Sequence, residues 1–201
     1  GDTVYSKEIA VLADGNNKII NISNSFNGKF IGSKSEADDA SSRIMLAAEN
    51  ANRNINNAFM VGNIPYDIPL NGDKRGTKST NGDISFGMGG SYYKKLNCLM
   101  TYTDAAADEQ KAVIEFGDGS TKEITYNAGL LNDDSTSDAK NINIGAYVNG
   151  EKEDGYIYSY TFDVEDIKPI KSISFPNCED KLIVFAITAE NPDISDLKGI
   201  I

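Results

Sequence analysis

The sequence contains no histidine and no tryptophan. Without histidine, the chain cannot form Ser-His-Asp or Cys-His nucleophile arrangements, or zinc and iron sites with histidine ligands. Catalysis would have to rely on carboxylates, lysine, tyrosine or an oxygen-bound metal. None of the 30 acidic residues is marked by its pattern as part of the carboxylate pair of a glycosidase. We therefore expect a protein that is not an enzyme, and a carboxylate-only glycoside hydrolase is the enzyme alternative.

Cysteine is scarce as well. Cys98 and Cys178 are the two cysteines, and they are too far apart to form a CxxC motif. The spacing therefore gives no support to a structural zinc site. Cys98 lies in an apolar run, where cysteine behaves as a small hydrophobic residue. We expect two free or partly buried thiols, with one disulfide as the alternative.

Long apolar runs and excess positive charge are also lacking. No stretch approaches the roughly 20 apolar residues that span a bilayer, and residues 1–5 show no signal-peptide pattern. The net charge is −11, which repels nucleic-acid phosphates and anionic lipid surfaces. We expect neither nucleic-acid binding nor membrane insertion.

The remaining composition is that of a globular domain. Hydrophobic residues make up 40% of the chain and charged residues 24%, unlike a disordered segment. A length of 201 residues suits a β-sandwich with one core. We expect residues 1–201 to form a single domain.

Several segments have strand patterns. Residues 111–116 are mostly apolar, residues 120–126 alternate, and the turn Gly117-Asp118-Gly119 joins them, which predicts a hairpin. Residues 156–164 carry an aromatic or apolar side chain at every second position, which predicts a strand with one apolar face. We predict further strands at residues 17–22, 93–102 and 142–148, and one near residues 84–86 within a glycine-rich loop.

The end of the chain predicts a second hairpin. Residues 170–175 alternate, Pro176-Asn177 supplies a turn, and residues 182–187 are a continuous run of branched and aromatic side chains. That run predicts a central strand buried on both faces. The fold class is therefore all-β, a two-sheet antiparallel β-sandwich that is jelly-roll-like. The predicted core includes Phe116, Ile124, Phe162, Ile173, Val184, Phe185 and Ile187.

Six short segments, taken in order, resemble the β-sandwich accessory modules attached to secreted bacterial glycoside hydrolases. They are residues 64–66 (IPY), 93–96 (YKKL), 116–120 (FGDGS), 155–160 (GYIYSY), 170–177 (IKSISFPN) and 184–188 (VFAIT), and the resemblance covers roughly residues 17–189. It implies a jelly-roll-like fold, a secreted or cell-surface location as a module of a larger secreted protein, and binding to carbohydrate or to a neighbouring domain. The chain departs from the family in the glycine-free residues 36–41 and in lacking tryptophan.

Residues 35–54 allow two interpretations. They are rich in alanine at near-helical spacing, and Ser35 with Asp38 resembles a capping box, which favours a helix. The resemblance instead implies a loop followed by a strand near residues 43–48.

Sugar recognition requires an aromatic ring against the apolar face of a pyranose and planar polar groups for its hydroxyls. Tyrosines near predicted strand ends and nearby polar residues supply both groups. The predicted ligand-binding residues are Tyr66, Arg75, Tyr92, Tyr93, Asn97, Tyr147, Asn149 and Tyr156. The alternative for each tyrosine is a ring that covers the rim of the core.

No cofactor is required by the sequence, although loop carboxylates could hold a structural calcium ion. Asp38 and Asp39 are the predicted metal ligands, with solvated surface charge as the alternative. The sequence therefore favours a non-catalytic carbohydrate-binding or accessory module with a polysaccharide or glycan as its partner. The alternative is a structural or adhesion module that packs on a neighbouring domain of its parent protein without binding sugar.

Overall fold

Antiparallel strands dominate the computed structural model, which describes residues 17–39, 44–54, 56–104, 109–134, 138–166 and 168–193. The described strands are β1 (Asn17–Ile20), β2 (Ile31–Gly32), β3 (Ile44–Ala47), β4 (Phe59–Val61), β5 (Ile64–Tyr66), β6 (Thr77–Lys78), β7 (Ile84–Tyr92), β8 (Lys95–Tyr102), β9 (Gln110–Phe116), β10 (Thr121–Tyr126), β11 (Ala139–Asn143), β12 (Ala146–Val148), β13 (Glu151–Glu153), β14 (Tyr156–Asp163), β15 (Pro169–Phe175) and β16 (Leu182–Glu190). A short helix, α1 (Lys34–Asp39), and 3₁₀ turns at Ser23–Ser25 and Ala48–Asn50 complete the described elements.

The strands form two large sheets and a smaller layer. The central sheet has the order β1-β16-β8-β14-β11, with β6 also paired to β16, and the second sheet has the order β10-β9-β15-β7. All strand pairs in these two sheets are antiparallel. The third layer contains the sheet β13-β12-β3-β2, in which β2 and β3 are parallel, and the separate hairpin β4–β5. The predicted all-β sandwich is confirmed.

Hydrophobic side chains cover both faces of the central sheet. The first core lies between the central and second sheets and includes Leu96, Met100, Ile114, Tyr160, Phe162 and Phe175. The second core lies on the opposite face, against the third layer, and includes Leu46, Phe59, Leu99, Ile157 and Phe185. The predicted core residues Phe116, Phe162, Ile173, Val184, Phe185 and Ile187 are buried, and Ile124 is half-buried against the first core. The alternation of strand side chains explains how one sheet serves two cores.

A β-bulge adjusts β16 to both cores. The register of β16 against β8 shifts between Val184 and Ala186, so Phe185 is the extra residue. Phe185 and Ala186 both belong to the second core, whereas Val184 and Ile187 belong to the first. A bulge places two residues opposite one and so resets the alternation of faces. The predicted strand buried on both faces is confirmed.

The predicted hairpin of residues 111–126 is confirmed as β9–β10, in which Thr121 pairs with Glu115 and Tyr126 with Gln110. Gly119 has a φ of 82°, a backbone conformation that glycine adopts without steric cost. Strand β1 forms one edge of the central sheet, and Asn17 lies directly opposite Glu190 of β16.

The predicted second hairpin is wrong. Strand β15 pairs with β7 and β9 in the second sheet, whereas β16 pairs with β1, β6 and β8 in the central sheet. The turn at Pro176-Asn177 therefore carries the chain from one sheet to the other. The left-handed residues Asn177, Glu179 and Asp180 change its direction there.

Two other predictions are refined. Residues 142–148 do not form one strand: β11 ends at Asn143, Gly145 has a φ of 78°, and β12 joins the third layer. The predicted strand near residues 84–86 extends through the glycines to Tyr92 as β7.

Residues 35–54 combine parts of both interpretations. The chain forms the short helix α1 and then strand β3, which confirms the strand predicted near residues 43–48. The capping box is Ser33 with Glu36, not Ser35 with Asp38. The Ser33 backbone N–H donates to Glu36 Oε2 at 2.9 Å, and the Glu36 N–H donates to Ser33 Oγ at 3.4 Å.

Both cysteines are free and buried, as predicted. Burial raises the pKa of the Cys98 thiol, and it raises that of Cys178 to about 12. The Cys178 thiol donates to the Phe175 carbonyl oxygen at 2.6 Å. In the described part of the chain, no helix has the length and apolar character to cross a bilayer.

Candidate functional site

The predicted ligand-binding residues do not form one surface. Tyr66, Arg75, Tyr93, Asn97 and Tyr147 are buried, Tyr156 is half-buried, and Tyr92 and Asn149 are exposed. A ring that stacks on a sugar needs one open face, so only Tyr92 and Tyr156 of the predicted tyrosines present a ring to solvent.

Arg75 belongs to an ion pair within the protein. Its guanidinium donates through Nη1 to Glu36 Oε2 at 2.9 Å and through Nη2 to Glu36 Oε1, and it also reaches the carbonyl oxygens of Gly72 and Ile31. These bonds fasten the loop before β6 to α1 and β2. The Arg75 side chain and the Ser33 N–H hold the pKa of the Glu36 carboxyl down at about 2.

Two of the buried tyrosines have structural contacts. Tyr93 packs in the first core, and the Lys18 ammonium lies 5.6 Å from the centre of its ring. Tyr147 on β12 is 5% exposed, and its hydroxyl donates to Glu49 Oε1. Tyr92 is 38% exposed at the end of β7, on the opposite side of the central sheet from the third layer.

The predicted metal ligands lie at the end of α1. Asp38 is exposed, and its Oδ1 is 3.1 Å from the position that a Cβ on Gly150 would occupy, next to Asn149. The Asp39 side chain lies outside the described part of the structure. Among the described residues, no group of three or more acidic or cysteine side chains is arranged to hold a metal ion. Calcium binding stays a prediction.

A groove opens between the β4–β5 hairpin and strands β11 and β14 of the central sheet. We call it the hairpin groove, and its volume is about 470 Å³, within the range of small-molecule sites. Its described lining residues are Val61, Ile64, Asp138, Ala139, Lys140, Ser159 and Thr161.

The hydroxyls of Ser159 and Thr161 form the floor of the hairpin groove. Both residues lie on the face of β14 opposite its aromatic row, because strand side chains alternate. The Ser159 hydroxyl shares a hydrogen bond of 2.6 Å with the Tyr66 hydroxyl, and Thr161 Oγ1 donates to Asn97 Oδ1 at 2.7 Å. Buried partners therefore fix both hydroxyls. These partners, Tyr66 and Asn97, are both predicted site residues.

The β4–β5 hairpin is fixed above this floor. Its two-residue turn has Gly62 at φ 62° in the first central position, where a type II′ turn requires glycine. The Thr188 hydroxyl of β16 donates to the Pro65 carbonyl oxygen, and Tyr66 reaches down to Ser159. The groove is therefore preformed between two anchored elements.

Charged groups and an aliphatic wall complete the groove. Asp138, just before the edge strand β11, and Lys140, on that strand, line the groove, and Val61 and Ile64 of the hairpin supply apolar surface. Asp138 Oδ2 accepts a hydrogen bond from the Asn127 backbone N–H, which holds the carboxylate in place. Donors, acceptors and C–H surface thus converge on one space.

Tyr156 lies at the far end of the β11–β14 pair, opposite Asn143. Partial burial and the Asp154 and Asp134 carboxylates raise the pKa of its hydroxyl, and the Asn143 amide donates to Asp154 Oδ1 at 2.7 Å. The half-buried Tyr156 ring, the Asn143 amide and the nearby carboxylates form a second polar surface. Tyr156 packs against the first core, so this surface and the hairpin groove lie on opposite faces of the central sheet.

Sequence reasoning missed the groove residues Lys140, Ser159 and Thr161. The pattern that predicted the aromatic face of β14 also placed Ile157, Ser159 and Thr161 together on the other face. Two hydroxyls on the inner face of a central strand are a signal that could have identified the floor.

No protein-family model matches this chain, and no curated protein sequence gives a significant match.

Proposed function

We propose that the protein is a non-catalytic carbohydrate-binding module of a secreted bacterial protein, and that the hairpin groove holds a sugar residue of a polysaccharide. Its work would be to keep a parent enzyme or cell surface close to that polysaccharide. The observation that carries the proposal is the pair of oriented hydroxyls on the groove floor.

The hydroxyls of the groove floor can still form hydrogen bonds with a sugar, and Thr161 is the clearest case. It is exposed, and it donates its one hydroxyl proton to Asn97, so its oxygen is left as an acceptor for a ligand hydroxyl. The buried Tyr66 and Ser159 share one hydrogen bond between their hydroxyls, so when Tyr66 donates, the Ser159 O–H remains to donate, and when Ser159 donates, its oxygen remains an acceptor. Hydroxyls on one face of β14, beside the aliphatic Val61 and Ile64, complement the mixed polar and C–H surface of a sugar ring.

The groove favours binding over hydrolysis. Asp138 is the one carboxylate among the described lining residues, and glycoside hydrolysis needs two carboxyl groups across the scissile bond. Affinity from one shallow groove should be modest, so repeated copies or a parent protein would supply avidity.

The test is affinity electrophoresis against plant and host polysaccharides, followed by calorimetry with the polymer that binds most strongly. Thr161→Val keeps the shape of the side chain and removes its oxygen, so we expect affinity to fall about fivefold to tenfold, the value of one hydrogen bond. Thr125→Val is the matched control, because Thr125 is exposed on β10 in the second sheet. Urea unfolding of both variants separates a binding loss from a folding defect.

A second variant examines the alternative surface. If Tyr156 stacks on the ligand instead, Tyr156→Ala should cost on the order of 1 to 3 kcal/mol of binding energy, and Thr161→Val should leave affinity unchanged. That result would move the site from the groove to Tyr156. Binding to none of the polymers would refute the function and favour a module that packs on a neighbouring domain, and hydrolysis of a polymer would favour an enzyme.

A further inference from the structure

The hairpin groove also contains a charge that bears on its ligand. Lys140 pairs with Ser159 across the β11–β14 ladder, so its side chain stands on the same face as the groove floor. Its Nζ lies 3.4 Å from the position that a Cβ on Gly62 would occupy. The ammonium therefore extends from the edge strand to the hairpin turn, across one end of the groove.

Among the residues that the structure describes, this ammonium forms no ion pair with a carboxylate. Four of the seven other lysines on the described strands, Lys95, Lys111, Lys122 and Lys171, do form one. Asp138 is two residues away, but its carboxylate accepts a hydrogen bond from the Asn127 N–H instead. In a chain of net charge −11, a lysine of the groove that forms no ion pair within the described structure can take an anionic group of a ligand.

We propose that the hairpin groove selects a sugar residue that bears a carboxylate, that is, a uronic acid within a polysaccharide. This inference rests on the proposed function and narrows it. The carboxylate would lie at Lys140, forming a charge-assisted hydrogen bond. The ring hydroxyls would lie over Ser159 and Thr161, and the C–H face would contact the aliphatic hairpin wall.

The overall negative charge of the protein cannot by itself favour an anionic polymer. A polyanion gains no general attraction from an acidic surface, and interactions between exposed charges are largely screened beyond about 10 Å at 0.1 M salt. A preference for the acidic form of a polymer must therefore come from a cation at the site itself.

The experiment compares polymers that differ only at the carboxyl group, which is charged in one member of each pair and neutral in the other. Polygalacturonate and its methyl ester form one pair, and hyaluronan and its carboxyl-reduced form the other, so plant and host sources of uronate are distinguished. We expect the wild type to bind the acidic member of at least one pair about tenfold more tightly. Lys140→Gln should remove the difference, and Lys140→Arg should keep most of it. Lys111→Gln, on the second sheet, is the control and should change nothing.

The results distinguish selection of uronate by Lys140 from carbohydrate binding as such. If the wild type binds ester and acid equally, or if Lys140→Gln keeps the preference, the protein binds glycan but Lys140 does not select uronate, and the inference is refuted. If no polymer of either charge binds, both the inference and the proposed function are refuted.

Discussion

The ion pair between Glu36 and Arg75 allows a quantitative test of how the third layer is held. The Arg75 side chain is 4% exposed and the Glu36 side chain 27% exposed. Glu36→Gln keeps the shape of the side chain and removes its charge, which leaves the Arg75 guanidinium buried without a counter-charge. The Ile31 and Gly72 carbonyl oxygens would still accept its hydrogen bonds.

Two estimates of the free energy of unfolding lost in Glu36→Gln agree. A carboxyl whose pKa falls from 4.5 to about 2 on folding contributes at most about 3.5 kcal/mol, at roughly 1.4 kcal/mol per pH unit. Solvent reaches part of this carboxylate and screens it, so we expect about 2 kcal/mol. Removing one partner of a fully buried pair costs about 3 to 5 kcal/mol, and a partly exposed pair should cost less.

The pH dependence follows from the direction of the pKa change. The Glu36 pKa is lower in the folded state, so its contribution is complete above about pH 4.5 and is lost as the pH falls towards 2. The difference in unfolding free energy between wild type and Glu36→Gln should therefore be about 2 kcal/mol at pH 6 and should approach zero near pH 2. Urea unfolding followed by tyrosine fluorescence measures it, since the chain has no tryptophan.

Glu123→Gln is the control for this measurement, because the Glu123–Lys111 pair is more than half exposed. Exposed pairs contribute little, so we expect a change within about 0.5 kcal/mol. If Glu36→Gln changes the free energy of unfolding by less than about 0.5 kcal/mol at pH 6, the ion pair does not hold the third layer. A change that does not vary with pH would lead to the same conclusion.

Two further predictions concern the cores. Phe185→Ala should lower the free energy of unfolding by about 3 to 5 kcal/mol, because the fully buried ring fills the second core beside the bulge; a loss under about 1 kcal/mol in denaturant would show that β16 is not central. Cys98 and Cys178 should react with a thiol reagent on the order of 100-fold more slowly than in the unfolded chain, because both are buried and their thiols have raised pKa values. Rapid reaction of the native protein at pH 8 would contradict their burial.

Local patterns predicted the strands better than their partners. The β9–β10 hairpin and the aromatic face of β14 depend on a turn and on alternation, which lie within a few neighbouring residues. The turn at Pro176-Asn177 has the same local signature, yet it joins two different sheets. The destination of β16 is set by its contacts with β1 and β8, which are distant in sequence.

The site was harder to predict for the same reason. Tyr66 stands at a strand end, where a ring can face solvent, but its hairpin folds onto the central sheet and buries it against Ser159. Arg75 lies in a polar, glycine-rich segment and is buried by Glu36, 39 residues earlier in the chain. Residue type identified side chains able to bind a polar ligand, whereas only the packing of the third layer decided which of them line a groove.

The pairing of Asn17 with Glu190 has a mechanical consequence. Strand β1 enters the central sheet at the same place where β16 leaves it, and the two run antiparallel. Tension applied at these two residues pulls across the strands, so it loads the hydrogen bonds of the β1–β16 ladder one pair at a time. Strands pulled along their length would instead share the load over all their bonds at once. We therefore expect β1 to peel away at low force, before β16 separates from β8 on its other edge.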